Sequence, residues 1–312
     1  MVKTCFLFPG QGAQYPGMAQ DLWESSPGVK ELFECASDTT GIDVKKLLFE
    51  GTEEELKATE NTQIAITLAS LSANTVLKEY EIESKGVAGF SLGEYSALTE
   101  AGVIRLEEVF PIVKARGDAM ERASRRLQSR TGEPGMAAVI GLSYDKIVEI
   151  VKNASRGDVF IANYNSPTQI VLSGTAEGLN LAEQLCKDAG ARRVVKLKVS
   201  APFHSPLLEE ARKEFEEVLE VYNFRDPLKS VYSNVTADLI HSGKEAKELC
   251  IKQIVSTVRW VDEEEKLIEH GYKMCLEVGP GSVLTGLWKA VGGDIKCYPA
   301  GKLEEIRMLE KE

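Results

Sequence analysis

Apolar positions along this chain keep two rhythms, and the switches between them mark the elements. Residues 3–8, "KTCFLF", read as a strand whose last four residues are apolar and which ends in the turn "PGQGAQYPG". Residues 62–80, "TQIAITLASLSANTVLKEY", recur with the spacing of a helix. "KGVAGF" at 85–90 is a second short apolar run, the kind a buried parallel strand produces, and a helix is predicted over about 106–127. Strand and helix in alternation predict an α/β layer built on a parallel sheet.

The texture changes near residue 132. "GMAAVIGL" predicts a strand, "YDKIVEIVKNAS" a helix, "VFIANYNSPTQIVLSG" two strands about an Asn-Ser-Pro turn, "TAEGLNLAEQLCKDAG" a helix and "RRVVKLKV" a strand. That order approximates the β-α-β-β-α-β unit of a ferredoxin-like fold, with one edge strand expected to be missing or merged. The α/β texture resumes after Pro202. The expected class is therefore α/β: a larger subdomain with a parallel sheet, residues 1–128 and 200–312, interrupted by a small subdomain over 129–199.

Composition narrows the functional classes. The chain has 312 residues, a net charge of −11 and three histidines. An acidic balance argues against nucleic acid as a partner, because a phosphate backbone needs a basic face. No apolar run reaches the roughly 18 residues of a membrane span. The N-terminal apolar run is only four residues long, too short for a signal peptide, so a cytoplasmic location is expected. Six cysteines with no C-x-x-C spacing predict reduced, mostly buried thiols and no metal site.

Within "GVAGFSLGEYSALTEAG" lies a G-x-S-x-G stretch, Gly89 to Gly93, between a predicted strand and a predicted helix. A serine thrust out of so tight a turn needs small neighbours, and the following helix would aim its first amides at the same point. The alternative is a chance glycine-rich turn. A serine hydroxyl needs a base. Of the three histidines, His270 precedes Gly271 at a predicted helix end, where a cation is favoured. His241 sits in the polar loop "LIHSGKE". His204, in "VSAPFHSPLLEEARKEF", stands where a strand gives way to a helix, with Ser205 as N-cap and Pro206 as first helical residue. A surface or capping histidine is the competing reading of His204.

In "LEEVFPIVKARGDAMERA", Val109, Ile112, Val113 and Met120 share one helical face, and Arg116 falls in the middle of that apolar stripe. Pro111 predicts a kink or a helix start. A buried guanidinium needs an anion: either a structural carboxylate of the protein or the carboxylate of a substrate, which planar Arg grips with two parallel hydrogen bonds. Gln253 likewise falls on an inward arc with Ala246, Leu249 and Cys250, and reads as a satisfied core amide. The loop "FPGQGAQYPGM" has neither the lysine of a phosphate loop nor Rossmann glycine spacing. It is left as a glycine-rich loop whose amides can face an oxyanion.

"FPGQGAQ", "GFSLGEYSAL", Arg116 in "KARGDAM", "NYNSP", "SAPFHSPL" and "LEVGPGSVLTGL" together resemble malonyl-CoA:acyl carrier protein transacylases, in order and across nearly the whole chain. The resemblance implies an α/β-hydrolase-like large subdomain with a ferredoxin-like insertion. By position, Ser91 resembles the acylated nucleophile and His204 its base. The backbone amides of Gln11 and Leu92 resemble the oxyanion hole, and Arg116 the clamp on the free malonate carboxylate. Gln63 and Asn163 resemble pocket-lining residues. The backbone carbonyl of Gln253 resembles the group that orients the imidazole, making a dyad with no acidic third member. Phe203 resembles the malonyl-selecting form of its motif, where bulk crowds a branched acyl group. One departure is Phe90, where the family usually has His: a ring stays and its polarity goes.

The resemblance implies ping-pong transfer of malonyl from malonyl-CoA, through malonyl-serine, to the phosphopantetheine thiol of an acyl carrier protein in fatty-acid synthesis. No cofactor is expected, coenzyme A being part of the substrate, and the chain is expected to act as a monomer. An acidic carrier suggests docking near Arg122, Arg125, Arg126 and Arg130 in "RASRRLQSR", although a solvated helix face accounts for them equally. The rival functions are a polyketide-pathway acyltransferase, a serine thioesterase or hydrolase, and a carrier-binding scaffold without catalysis.

Overall fold

The computed structural model of the chain describes residues 2–131, 133–154, 158–199 and 201–309, with 129–131 described by backbone alone. Nine strands fall into two sheets. Strands β1 (Thr4–Phe8), β2 (Gly86–Gly89), β7 (Ser230–Val231), β8 (Met274–Glu277) and β9 (Lys296–Pro299) pair in the order β7-β2-β1-β8-β9, all parallel. Every residue of β1 and β2 is buried, as central strands covered by helices on both faces must be. The helix Thr59–Glu79 packs among other helices, Pro27–Thr40 and Leu106–Thr131 included, and is buried on nearly all sides, which explains its run of Ala, Ser, Thr and Leu.

Strands β3 (Gly135–Ile140), β4 (Val159–Ser166), β5 (Gln169–Gly174) and β6 (Arg193–Lys196) form an antiparallel sheet in the order β4-β5-β3-β6. Helices Tyr144–Ala154 and Ala176–Asp188 complete the β-α-β-β-α-β unit. All four strands are present, so the expectation of a missing or merged edge is corrected. The molecule has the expected class: a large α/β part with a parallel sheet and an inserted ferredoxin-like part.

The helix containing Arg116 runs from Leu106 to Thr131 with Pro111 inside it, so the helix does not start at that proline. In the segment with His204, Ser205 stands at the N-cap and Pro206 at the first position, as expected, but the first turn, Pro206–Leu208, is 3-10 and precedes the helix Glu209–Leu219, and the Ser205 hydroxyl donates to the Pro202 carbonyl and caps no amide. The arginine patch is not free either. Arg122 pairs with Glu214, Arg125 with Glu121 and Arg126 with Glu210, while the side chain of Arg130 lies outside the described residues.

The two sheets meet beside the carboxyl ends of the parallel strands. Residues just beyond the helix Gly243–Gln253 pair with β4: Tyr164 donates its amide to Val258, and Val258 donates to Ala162. Ser173 on β5 donates its hydroxyl to the Phe203 carbonyl. The small sheet thereby holds the segment that carries His204 against the end of the large one. None of the described helices is long and apolar enough to cross a membrane.

Two glycines set how closely the β2 corner can pack. A Cβ on Gly89 would fall 2.1 Å from the Gly93 carbonyl, and one on Gly93 would fall 2.0 Å from the Phe8 carbonyl. Gly286, in the helix Val283–Trp288, has nothing within 4 Å of the same position. Gly89→Ala is therefore expected to lower folding stability by about 1–3 kcal/mol or more. Gly286→Ala is expected to raise it by about 0.5–1 kcal/mol. Urea melts of the two variants check the contrast.

Candidate active site

Four connections leave the carboxyl ends of the parallel strands and converge, the place where open α/β sheets build sites. The β2 corner carries Ser91 at φ 52°. A non-glycine residue in the left-handed region costs roughly 1–3 kcal/mol and has to be held there by its surroundings. The serine sits immediately before the helix Gly93–Glu100. His204 also takes the left-handed conformation, at φ 57°. The two corners face each other, and Ser91 Oγ lies 2.7 Å from His204 Nε2.

The other ring nitrogen fixes the tautomer. His204 Nδ1 is 2.9 Å from the backbone carbonyl of Gln253. A carbonyl only accepts, so Nδ1 carries the proton and Nε2 presents its lone pair to the serine hydroxyl. Gln253 is the last residue of its helix, where carbonyls lack intrahelical partners, so this carbonyl is available. No carboxylate fills the third position.

Arg116 is 2 % exposed. Nη1 donates to Gln63 Oε1 at 2.7 Å, and Nη2 donates to Gln253 Oε1 at 3.1 Å. Nη2 also lies 3.5 Å from Ser91 Oγ, and the guanidinium stands over the Tyr95 ring. Among the described residues no carboxylate pairs with Arg116, and its buried Nε has no partner. Of the two readings of this residue, the structural salt bridge is thereby ruled out: neutral amides hold the cation. Gln63, expected on the pocket wall, sits behind Arg116 as one of its holders.

Asn163 and Phe203 line the cavity above the serine, together with Gln11, Phe90, Met120 and Leu197 among others. Phe90 packs edge-on against Trp260, with ring centroids 5.4 Å apart. The amides of Gln11 and Leu92 have no hydrogen-bond acceptor among the described residues. His241 and His270 take no part; the latter lies beside Tyr232 Oη at 2.7 Å.

Comparison with known proteins gives this arrangement its lineage. Residues 5–295 match the family model of the acyl transferase domain. The malonyl CoA-acyl carrier protein transacylase of Bacillus subtilis is 40% identical over 99% of this chain and 96% of its own. The chain belongs to the malonyl CoA-acyl carrier protein transacylase family. Solved relatives superpose closely. The acyl-carrier-protein S-malonyltransferase of Burkholderia pseudomallei has a TM-score of 0.94 at 34% identity, covering 99% of this chain and 100% of its own. A malonyl-transacylase solved in complex with a type II PKS acyl-carrier protein has a TM-score of 0.94 at 35% identity, covering 99% of each chain.

In this member of the family, residues that the sequence reading did not single out surround the site. Asn234, fully buried, accepts the Ser91 amide on Oδ1 at 2.7 Å. Its Nδ2 donates to the Gly89 carbonyl and to Glu263 Oε1, and its own amide donates to Glu94 Oε2. Burial pushes the Glu94 carboxyl up to about 7 and raises that of Glu263 well above the usual range. The side chain of Gln253 was read as a core amide, which it is. It also joins Arg116 to the Ser91 carbonyl, to which its Nε2 donates. Nothing in the local sequence around Asn234 points to these partners, which the chain meets only once β7 lies beside β2.

His204 is held neutral. Burial, and then the charge of Arg116, push its imidazole down to about 4 from an ordinary 6.5. The unfolded chain binds a proton in that window that the folded one does not, so folding stability falls as pH drops from about 6.5 towards 4. Histidine NMR of the full chain is expected to show His204 untitrated at pH 5.5, with its midpoint rising in Arg116→Gln. A midpoint near 6.5 in the unsubstituted protein contradicts this electrostatic account.

Proposed function

We propose that the protein transfers the malonyl group of malonyl-CoA to the phosphopantetheine thiol of an acyl carrier protein, supplying fatty-acid elongation. The observation that carries this reading is Arg116: a buried guanidinium with no protein carboxylate among the described residues, whose Nη2 is 3.5 Å from the serine oxygen. A carboxylate on Arg116 and an acyl carbon at Ser91 then belong to one small molecule. A diacid arm with a single methylene between its two carbonyl carbons suits so short a reach.

The residues take the following roles. His204 Nε2 accepts the Ser91 proton as Oγ attacks the thioester carbon. The amides of Gln11 and Leu92 donate to the oxyanion, each contributing roughly 3 kcal/mol to the transition state. Collapse breaks the carbon–sulfur bond, and the coenzyme A sulfur leaves with the proton from His204. The carrier thiol then gives its proton to His204 and attacks malonyl-serine, and Ser91 Oγ recovers the proton as it departs. Arg116 holds the malonate carboxylate throughout, supported by Gln63 and Gln253, while Asn163 and Phe203 contact the acyl group. The Gln253 carbonyl stabilises the imidazolium that forms at each step. The transfer uses protein groups alone, and we invoke no cofactor.

Every group in this scheme lies on one chain, so a monomer suffices for the chemistry, and we place it in the cytoplasm as part of the proposal. Attraction of an acidic carrier by Arg122, Arg125 and Arg126 would be weak, since each already faces a carboxylate. Docking near them and Arg130 is therefore not part of the proposal. The relative solved with a type II PKS carrier favours one second reading, the same transfer to a polyketide carrier. Comparing kcat/KM for carriers of the two systems separates the pathways.

Mass spectrometry of protein mixed with malonyl-CoA should find a malonyl adduct on Ser91, discharged by a holo carrier and long-lived in water. Rapid hydrolysis without carrier would instead favour a thioesterase. Removing one partner of a buried charge pair costs about 2–5 kcal/mol, so Arg116→Ala should lower malonyl transfer by roughly 30-fold or more. Acetyl transfer should change far less. Equal losses would contradict the role given to Arg116.

A further inference from the structure

We propose that Asn234 is the positioning residue that holds the nucleophile corner in its reactive conformation. It braces the turn from both sides of Phe90. Oδ1 accepts from the Ser91 amide at 2.7 Å, and Nδ2 donates to the Gly89 carbonyl at 2.7 Å. Those two backbone groups flank the bend that puts Ser91 at φ 52°, a conformation a serine does not hold unaided. Asn234 fixes the peptide groups that enter Ser91, and Gln253 Nε2, itself in contact with Asn234 Oδ1, fixes the carbonyl that leaves it, so relaxing residue 91 towards ordinary backbone angles breaks one hold or the other.

The brace is itself fixed. An asparagine side chain can make four hydrogen bonds, and all four are used here. Nδ2 also donates to Glu263 Oε1 at 2.8 Å, and Oδ1 also lies 3.4 Å from Gln253 Nε2. The Nδ2 side thus faces only acceptors and the Oδ1 side only donors, so a flipped amide would oppose like groups. The backbone is held as well: the Asn234 amide donates to Glu94 Oε2, and its carbonyl accepts from the Arg259 amide. Parallel pairing of β7 with β2 explains the location, since the chain leaving the end of β7 emerges beside the end of β2. Asn234 touches no reacting atom. It acts through Ser91, by fixing the direction of Oγ relative to His204.

This inference rests on malonylation of Ser91, and rapid-quench acylation with radiolabelled malonyl-CoA tests the two separately. Wild-type protein that gives no burst defeats the proposed function and not the brace. Misplacing a nucleophile by about 1 Å costs roughly a hundredfold, so Asn234→Ala should acylate about 100-fold more slowly with its burst amplitude kept. The malonyl-to-acetyl preference should stay that of the wild type, because Arg116 keeps its partners. Asn234→Asp retains an oxygen for the Ser91 amide and should recover about tenfold or more of that rate. A merely structural residue would give the opposite pattern: a lower amplitude with the rate constant of the surviving molecules unchanged. That pattern overturns the proposal, as does an Asp variant no faster than the Ala variant. If Asn234→Ala does not fold, the Asp variant decides alone. A rate within about tenfold of wild type at full amplitude supports the brace, and a larger loss overturns it.

Discussion

A positive charge sits inside this protein with no carboxylate paired to it among the described residues. Burying a guanidinium costs several kcal/mol unless an anion compensates, and Arg116 is held instead by the amide oxygens of Gln63 and Gln253 and the face of Tyr95. The site follows from that constraint. Burial first, and then this charge, depress the neighbouring imidazole, so His204 is a free base at neutral pH. The charge also leaves strong donors beside the serine that only a ligand carboxylate can use fully. The same guanidinium therefore bears on both selectivity and the state of the base.

The geometry that uses this charge is made by two strained corners that come from different sheets' worth of structure. Ser91 ends a central parallel strand, and His204 follows the inserted antiparallel unit, 113 positions away. Neither corner is stable alone. The first is packed by Gly89 and Gly93 and bridged by Asn234, and the second is held by Ser173 on β5 and the carbonyl of Gln253. The small sheet is thus a structural part of the active site, because it carries the base to the nucleophile.

Much of this was legible in the sequence. The short apolar stretches within 3–8 and 85–90 are parallel strands, as their length and the turns that bound them suggest. The G-x-S-x-G corner follows from steric need, and Arg116 from a charge out of place in an apolar stripe. Local rules reached less far: Pro111 lies inside its helix and does not start it, and Ser205 stands at the N-cap with its hydroxyl bonded back to Pro202. What periodicity could not supply was the set of long-range polar pairs. Gln63 behind Arg116, the side chain of Gln253 between Arg116 and Ser91, and Asn234 beneath the elbow are each defined by partners many residues away. Asn234 in particular reads as an ordinary turn residue until β7 is placed next to β2.

The central claim is that Arg116 recognises a carboxylate one short acyl unit from the nucleophile. Equilibrium binding to the Ser91→Ala protein tests it without any chemistry intervening. The account predicts that malonyl-CoA binds at least about tenfold more tightly than acetyl-CoA, as a desolvated charge pair of 1.4 kcal/mol or more requires. Equal affinities for the two thioesters would contradict it.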